Sequence, residues 1–275
     1  MIKWNVDPEI IRIGFVSIRY YSLLFMLSFI LGIAIFHKIY KRENKPKEDL
    51  DPLLIYMMIG TVVGARLGHC LFYDPMYYLS HPLKILMIWQ GGLASHGAAI
   101  GILLSLYLYS RKHPDQPFLW LVDRIVITVA LAGFFIRIGN LFNSEIIGKP
   151  TDVPWAFIFE RAQVSDPMTP RHPTQIYEAL AYLIIFFILY RIYKKHGPKL
   201  RRGYLLGLFL ILVFGFRFFV EFLKENQVAF ESGMALNMGQ ILSIPAVIAG
   251  IFLIFWAKEP KIEEPAPPQR NKKKK

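Results

Sequence analysis

The densest group of polar side chains follows a long apolar run and extends over residues 137–151. Its cation, two amides and carboxylate come from Arg137, Asn140, Asn143 and Glu145. A guanidinium beside amide donors, placed where a helix leaves the membrane, matches the charge and hydrogen-bonding pattern of a phosphate group. The group therefore predicts a phosphate or glycerol site, and polar capping of the carbonyl groups at a helix end is an equally good structural interpretation.

Two further arginines lie inside apolar runs. Arg217 and Glu221 are four residues apart, which places both on one face of a helix. The pair is either a buried salt bridge or an arginine that is held in place for an anionic ligand. Arg66 lies among small residues. A charge at the bilayer centre costs at least about 2.5–3.5 kcal/mol, so such arginines are candidate functional residues. Arg124 is the exception, because pairing with its neighbour Asp123 or snorkelling to the surface accounts for it.

His96 and Glu178 are the remaining candidates. His96 lies near glycines at the predicted outer end of a helix, and a neutral imidazole is suited to removing a proton near pH 7. A lone histidine is also a common helix-packing residue. Pro173 and Thr174 predict the start of another helix, which buries Glu178 in its first turns.

Seven apolar runs of about the length of a membrane-spanning helix surround these residues. They cover residues 21–36, 53–73, 92–109, 118–136, 174–193, 204–223 and 238–256. The first run has no small-residue cleavage site after it, so we expect it to remain as a helix. With 54% hydrophobic residues, the chain is predicted to be an all-α integral membrane protein of about seven transmembrane helices.

Basic residues predict the orientation of these helices. Of the 32 lysines and arginines, 20 fall in the loops 37–50, 111–116 and 191–202 and in the tail 258–275. By the positive-inside rule these segments face the cytoplasm, which places the N-terminus outside and the C-terminus inside. The proline-rich segment 138–173 then forms a small extracytoplasmic cap.

Two domains are predicted. Residues 1–257 form one membrane domain that includes the cap, and residues 258–275 form a disordered basic cytoplasmic tail that lies against anionic lipid. The net charge of +12 is explained by these loops, and nucleic-acid binding is not expected. Cys70 is the single cysteine, which leaves no disulfide framework and no Cys–His metal site.

Several motifs in this chain resemble those of the prolipoprotein diacylglyceryl transferase family. The signature G-R-x-G-N-F-x-N-x-E-x-x-G-x-P-T is matched at most positions between 136 and 151. The family motifs G-G-x-x-x-H-G, R-H-P-[ST]-Q-L-Y-E, R-F-x-x-E and M-G-Q are matched at 91–97, 171–178, 217–221 and 238–240. Ile136, Ser144 and Ser22 stand where the family usually has glycine, which we expect to affect local packing more than chemistry.

The resemblance implies a bacterial inner-membrane enzyme with no metal or cofactor. Such an enzyme transfers the diacylglyceryl group of phosphatidylglycerol to the lipobox cysteine of a prolipoprotein signal peptide, forming a thioether and releasing glycerol phosphate. Its partners are those two substrates and the surrounding membrane lipids.

The resemblance and the residue chemistry together predict the site. His96 is the candidate base for the thiol, and Arg137 and Arg217 are the candidate catalytic clamps on the leaving phosphate. Glu221 fixes Arg217. The lipid head group is further contacted by Asn140, Asn143, Glu145, Gly148, Arg66 and Tyr21, with Tyr21 carried over from the family.

Two alternatives use the same residues differently. A transporter for an anionic solute could place the arginines in a central cavity, but the first and last three helices show no internal repeat. A structural subunit without chemistry gives little reason for keeping Arg66, Arg137 and Arg217 at membrane depth.

Overall fold

The fold is described from a computed structural model, which covers residues 1–14, 16–88, 91–225 and 233–257. Helices dominate these residues. They are α1 Tyr20–Arg42, α2 Leu50–Phe72, α3 Pro75–Ser80, α4 Ser95–Lys112, α5 Phe118–Phe142, α6 Thr174–His196, α7 Tyr204–Val220 and α8 Met238–Trp256. Short 3-10 turns occupy Lys47–Asp49, Pro82–Leu86, Gly197–Lys199 and Glu221–Leu223. The predicted disordered tail 258–275 lies outside the described residues.

Six helices of the described chain are long and apolar enough to cross a membrane, namely α1, α2, α5, α6, α7 and α8. The prediction of a helical integral membrane protein is therefore confirmed. The remaining predicted span corresponds to α4, which does form a helix. It does not qualify by composition, because it begins with Ser95 and His96 and ends with Arg111 and Lys112.

Helix α5 lies at the centre of the bundle. In the apolar stretch of α5, 56% of the residues are buried inside the protein, compared with 17–39% in the other five spans. It packs against α1, α6 and α7 around a core that includes Leu121, Ile127 and Leu189. A helix apolar on all sides can be buried in this way, and residues at both ends of α5 are consequently held in a fixed framework.

Helices α2 and α4 form a separate close pair. A Cβ atom added at Gly68 would lie 2.6 Å from the Cα of Gly97, and one added at Gly97 would lie 2.3 Å from the carbonyl oxygen of Gly64. Only glycine permits this approach between two helix backbones. The pair carries Arg66 on α2 and His96 on α4, so both are positioned by the same contact.

Four short strands, which were not predicted, add to the helical framework. β1 (Ile2–Trp4) pairs in parallel with β4 (Phe157–Phe159), and β2 (Glu9–Ile13) pairs antiparallel with β3 (Val16–Arg19). The Trp4 indole also donates to the Leu141 carbonyl, at 2.9 Å. The N-terminus and residues 138–173 consequently lie at one end of the bundle, here called the cap end.

The predicted basic loops meet at the other end of the bundle, here called the basic end. Arg42 donates to the Lys194 carbonyl at 2.8 Å, which joins the end of α1 to that of α6. Arg124 is fully buried there, and both it and the Trp120 indole contact the Glu43 carboxylate. The predicted pairing with the adjacent Asp123 is present, at 4.0 Å between Arg124 Nη1 and Asp123 Oδ2. The closer partner, Glu43 at 3.1 Å, was not predicted, and it reaches Arg124 because α1 and α5 pack together.

Candidate functional site

Glu178 is at the centre of a buried charge cluster at the cap end. Its Oε2 lies 3.1 Å from the Arg137 Nε on α5 and 3.1 Å from the Lys224 Nζ beyond α7. Glu178 and Lys224 are almost completely buried. The Arg137 Nε and the Glu178 Oε2 both lack an aligned hydrogen bond within the described chain. These groups are therefore paired in charge while part of their hydrogen-bonding capacity remains unused.

Glu221 connects this cluster to α7 and α8. Its Oε1 lies 3.0 Å from the Lys224 Nζ and 3.4 Å from the Arg217 Nε, and its Oε2 accepts a hydrogen bond from the Asn237 amide at 3.1 Å. A Cβ at Gly239 would lie 2.6 Å from the Glu221 carboxyl carbon. The opening of α8 thus contacts the carboxylate directly, and a side chain larger than glycine at position 239 would collide with it. The prediction that Glu221 holds Arg217 agrees with this geometry.

The signature residues form a second chain of contacts, from the end of α5 outward. The Arg137 guanidinium donates to the Asn140 side-chain oxygen at 3.0 Å, and the Asn140 amide donates to the Glu145 Oε1 at 2.7 Å. The Asn143 amide donates to the same Glu145 oxygen at 3.1 Å. Arg137, Asn140, Asn143 and Glu145 are thus brought together as predicted. Helix α5 continues to Phe142, beyond the predicted end at residue 136, so Arg137 and Asn140 occupy its last turns.

Gly148 lies where three backbone segments meet below the cap. Its N–H donates to the His172 carbonyl at 3.0 Å, and an added Cβ would lie 2.5 Å from that oxygen and 2.9 Å from the Leu223 carbonyl oxygen. Ser144, which replaces a frequent family glycine, has a φ of 52°. A left-handed backbone at this position explains the usual glycine, and it turns the chain so that Glu145 points back to α5.

Tyr21 lies close to the signature, whereas Arg66 lies elsewhere. A Cβ at Gly139 would lie 2.6 Å from the Tyr21 ring, which places that ring beside the turn of α5 that carries Arg137 and Asn140. The Arg66 guanidinium donates to the carbonyl groups of Lys84, Ile85, Gly91 and Gly92. These bonds use its donors to hold the segment before α4, and its predicted contact with a lipid head group remains a prediction.

His96 lies in an aromatic group at the end of α2. Its exposed ring makes an edge contact with Phe72, at 5.2 Å between centroids, and a looser contact with Tyr73 at 6.0 Å. Among the described residues, no hydrogen bond or ion pair joins His96 to the cluster around Glu178. Of these aromatic residues, tyrosine is the type that is enriched at head-group depth. The base candidate and the anion candidates are therefore carried by different helices.

Lys224 is the most important residue that the sequence analysis missed. A lysine with only 1% of its side chain exposed, between Glu178 and Glu221, is an integral part of the cluster. The spacing of Arg217, Glu221 and Lys224 offered a signal, because positions i, i+4 and i+7 share one helical face. Asn237 was also missed, and nothing local distinguishes it from an ordinary helix cap, which it also provides.

The joined cluster carries more positive than negative charge. Arg137, Lys224 and Arg217 face two carboxylates, Glu178 and Glu221, and Glu145 connects to it only through the Asn140 amide. The Arg217 side chain is 35% exposed, and within the described chain Glu221 is its one ion-pair partner. Such an arrangement can bind one further anion, and a phosphate group has the geometry that two guanidinium groups prefer.

Comparison with known proteins identifies the family. The family model for prolipoprotein diacylglyceryl transferase matches residues 8–256. Proteins named phosphatidylglycerol–prolipoprotein diacylglyceryl transferase are 49% identical in Tolumonas auensis, 48% in Chloroherpeton thalassium and 47% in Bacteroides fragilis. The matches cover 95–96% of this chain and 97–99% of each relative. The family resemblance seen in the motifs is confirmed, and this chain belongs to the prolipoprotein diacylglyceryl transferase family.

Proposed function

We propose that this protein transfers the diacylglyceryl group of phosphatidylglycerol to the lipobox cysteine of a prolipoprotein signal peptide. The products are a thioether-linked lipid on the peptide and free glycerol phosphate. The observation that carries this proposal is the buried cluster with an excess of positive charge at the cap end. The names of the relatives agree with it, and a transporter is not favoured.

The reaction replaces one bond with another at a glycerol carbon. The cysteine sulfur attacks the carbon that joins the diacylglycerol to the phosphate, a C–S bond forms, and the C–O bond to that phosphate breaks. The electron pair of the broken bond stays on the phosphate oxygen. The thiol proton passes to a base, so charge accumulates on the leaving phosphate, where cations stabilise it most.

Arg137 and Arg217 are the proposed phosphate ligands. They approach from α5 and α7, where Glu178 pairs with Arg137 and Glu221 pairs with Arg217. Lys224 forms ion pairs with both of these carboxylates. A preorganised pair of guanidinium groups needs little rearrangement as the leaving group gains charge.

The glycerol of the head group is assigned to the signature residues. Asn140, Asn143 and Glu145 present amide and carboxylate groups that can bind hydroxyls, next to Arg137. Tyr21 closes this region from α1, and Gly148 lets the cap backbone approach closely.

His96 is the proposed base for the cysteine thiol. A thiol with a pKa near 8.5 is mostly protonated at pH 7, and the thiolate is the nucleophile. His96 is exposed on α4, away from the phosphate cluster, so the peptide would enter between the two groups. Arg66 supports this arrangement by fixing the segment that leads into α4.

The proposed topology has seven spans in a bacterial inner membrane, with the cap end outside. The paired packing of α2 and α4 supports α4 as the seventh span, because such close contact runs along both helices. The basic end then faces the cytoplasm. Cysteine labelling at position 195 in a Cys70-free variant would test this, and labelling from outside alone would contradict it.

A single assay tests the function. Purified protein is incubated with phosphatidylglycerol and a lipobox peptide, and we expect a peptide whose mass has increased by one diacylglyceryl group. A peptide with serine in place of the cysteine is the matched control. No product at any lipid concentration, from protein that is folded, would overturn the proposal.

A further inference from the structure

An apolar groove of about 450 Å³ lies between α6 and α7. Its walls include Tyr177, Ala181, Ile184 and Ile188 on α6, and Leu212 and Phe216 on α7. Leu180 and Ile184, which also line it, are more than half exposed, so the groove opens sideways, toward the surrounding lipid.

The groove has the depth of one membrane leaflet. From Tyr177 to Ile188 the helix rises eleven residues, about 16 Å at 1.5 Å per residue. The hydrocarbon core is about 30 Å thick, so one leaflet accounts for about 15 Å. A groove that starts near the cap end and stops at mid-membrane fits a single acyl chain of a lipid in the outer leaflet.

The outer end of the groove adjoins the charge cluster. Tyr177 precedes Glu178, and Phe216 precedes Arg217, so the same two helix turns line the groove and carry the cluster. Arg217 is the partly exposed cation there, with 35% of its side chain accessible. A lipid phosphate on Arg217 would therefore have an acyl chain directly beside the groove.

Hydrogen bonds hold the outer end of the groove in place. The Trp155 indole donates to the Tyr177 hydroxyl at 2.7 Å, and that hydroxyl lies 3.2 Å from the His172 Nδ1. Burial lowers the pKa of His172, which favours the neutral imidazole, and a neutral Nδ1 can accept a hydrogen bond from the Tyr177 hydroxyl. The cap thus fixes one wall of the groove.

From this juxtaposition we infer that the α6–α7 groove binds one acyl chain of the phosphatidylglycerol whose phosphate lies on Arg217, and that Ala181 and Ile188 limit the chain length accepted. The inference rests on the proposed function for the identity of the lipid. Annular lipid without head-group preference is the competing occupant.

Photocrosslinking tests the site without requiring turnover. The full chain is reconstituted in phosphatidylethanolamine vesicles with phosphatidylglycerol that carries a photoreactive group at the end of one acyl chain. We expect the label on peptides that contain residues 184–188 or 212–216, and less of it when unlabelled phosphatidylglycerol is added. Equal labelling by a photoreactive phosphatidylethanolamine, or labelling confined to other helices, would overturn the inference.

Substitution of Ala181 tests chain selection. Ala181→Phe fills the groove, so the ratio of kcat/KM for long-chain over short-chain phosphatidylglycerol should fall at least about threefold, as expected when apolar contacts with a substrate are lost. Phe187→Trp adds bulk on the exposed surface of α6 outside the groove and should leave the ratio unchanged. An unchanged ratio in folded Ala181→Phe would contradict the inference.

A milder variant guards against misfolding of Ala181→Phe. Ile188→Ala lengthens the groove at its inner end and should shift the preference toward longer chains, and an unchanged preference would again contradict the inference. If wild-type protein makes no thioether from either lipid, the proposed function fails. In that case, crosslinking that prefers phosphatidylglycerol would still support binding of its acyl chain in the groove. Crosslinking without head-group preference would overturn that binding as well.

Discussion

Two arginines on α5 have opposite environments. Arg124, at the basic end, makes hydrogen bonds of 3.1–3.2 Å to both Glu43 oxygens and lies 4.9 Å from the centre of the Trp120 ring. Arg137, thirteen residues later at the cap end, shares Glu178 with Lys224, and its Nε has no aligned hydrogen bond. Both lie within one apolar helix, so burial alone does not identify a binding site. The difference is that Arg124 is saturated by the protein and Arg137 is not.

Arg66 belongs with Arg124 in this comparison. Its guanidinium is buried and bonded to backbone carbonyl groups, so it fixes a loop. Arg217 belongs with Arg137, because it is partly exposed and has one carboxylate partner among the residues described. The four arginines therefore divide into two that hold structure and two that are available to a substrate, and mutation should separate them.

The largest effect is expected from breaking the saturated pair. Arg124→Ala leaves Glu43 buried without its cation, which should lower the free energy of unfolding by about 3–5 kcal/mol. Thermal unfolding in detergent measures this loss. The protein that remains folded should keep near wild-type turnover, and Lys41→Ala, an exposed position on α1, is the control. If Arg124→Ala were folded and stable but inactive, Arg124 would belong to the site. That result would contradict the division into structural and substrate-binding arginines.

Removing either unsaturated arginine should have the opposite outcome. Arg137→Ala and Arg217→Ala should each lower turnover at least about tenfold, roughly 1.4 kcal/mol of transition-state stabilisation, with a smaller change in unfolding. Lysine should restore little activity, because it keeps the charge but lacks the planar fork. Transfer rates and thermal unfolding are measured on the same preparations. Near wild-type rates in both alanine variants would show that the arginines are structural.

His96→Gln should give a defect that depends on pH. If His96 accepts the thiol proton, the variant should be about tenfold slower at pH 7, and the defect should shrink as the pH approaches the thiol pKa near 8.5, because solvent then supplies the thiolate. Rates of both proteins are compared from about pH 6.5 to 9.5 with saturating lipid. A constant ratio across this range would remove His96 from the base role and leave the transferase proposal intact.

Lys224 should have the smallest effect of the four. Lys224→Met removes one cation from between Glu178 and Glu221, so the two carboxylates compete for the arginines, and turnover should fall about fivefold, roughly 1 kcal/mol. Lys224→Arg keeps the charge and should recover most of the rate. Comparable losses in Lys224→Met and Lys224→Arg would indicate a packing role and would place Lys224 with the structural cations.

The comparison also shows how far the sequence could be interpreted. Apolar run length predicted all the long helices, because a bilayer requires about 20 apolar residues whatever the tertiary structure. The motif residues 137–145 were predicted together because they are close in sequence. The Glu43 partner of Arg124 could not be predicted, since it is 81 residues away and follows from the packing of α1 on α5.

Lys224 and the strands were missed for related reasons. Lys224 follows an apolar run, and its spacing from Arg217 and Glu221 is the one local sign of its role, whereas its burial depends on Glu178 from another helix. β1 has only three residues, and its partner strand, Phe157–Phe159, lies more than 150 residues later, within the cap segment 138–173. Local propensity carries little information on such pairings, because they are stabilised by distant residues.

The parallel pairing of β1 with β4 determines when the cap can form during synthesis. At about 5–20 residues per second, Phe157 follows Ile2 out of the ribosome by roughly 8 to 30 s. During that interval the first strand has no partner, while the intervening helices enter the membrane. Arg217, Lys224 and Asn237 follow later still. The charge cluster at the cap end is therefore completed only near the end of translation, and a chain released early would insert in the membrane without it.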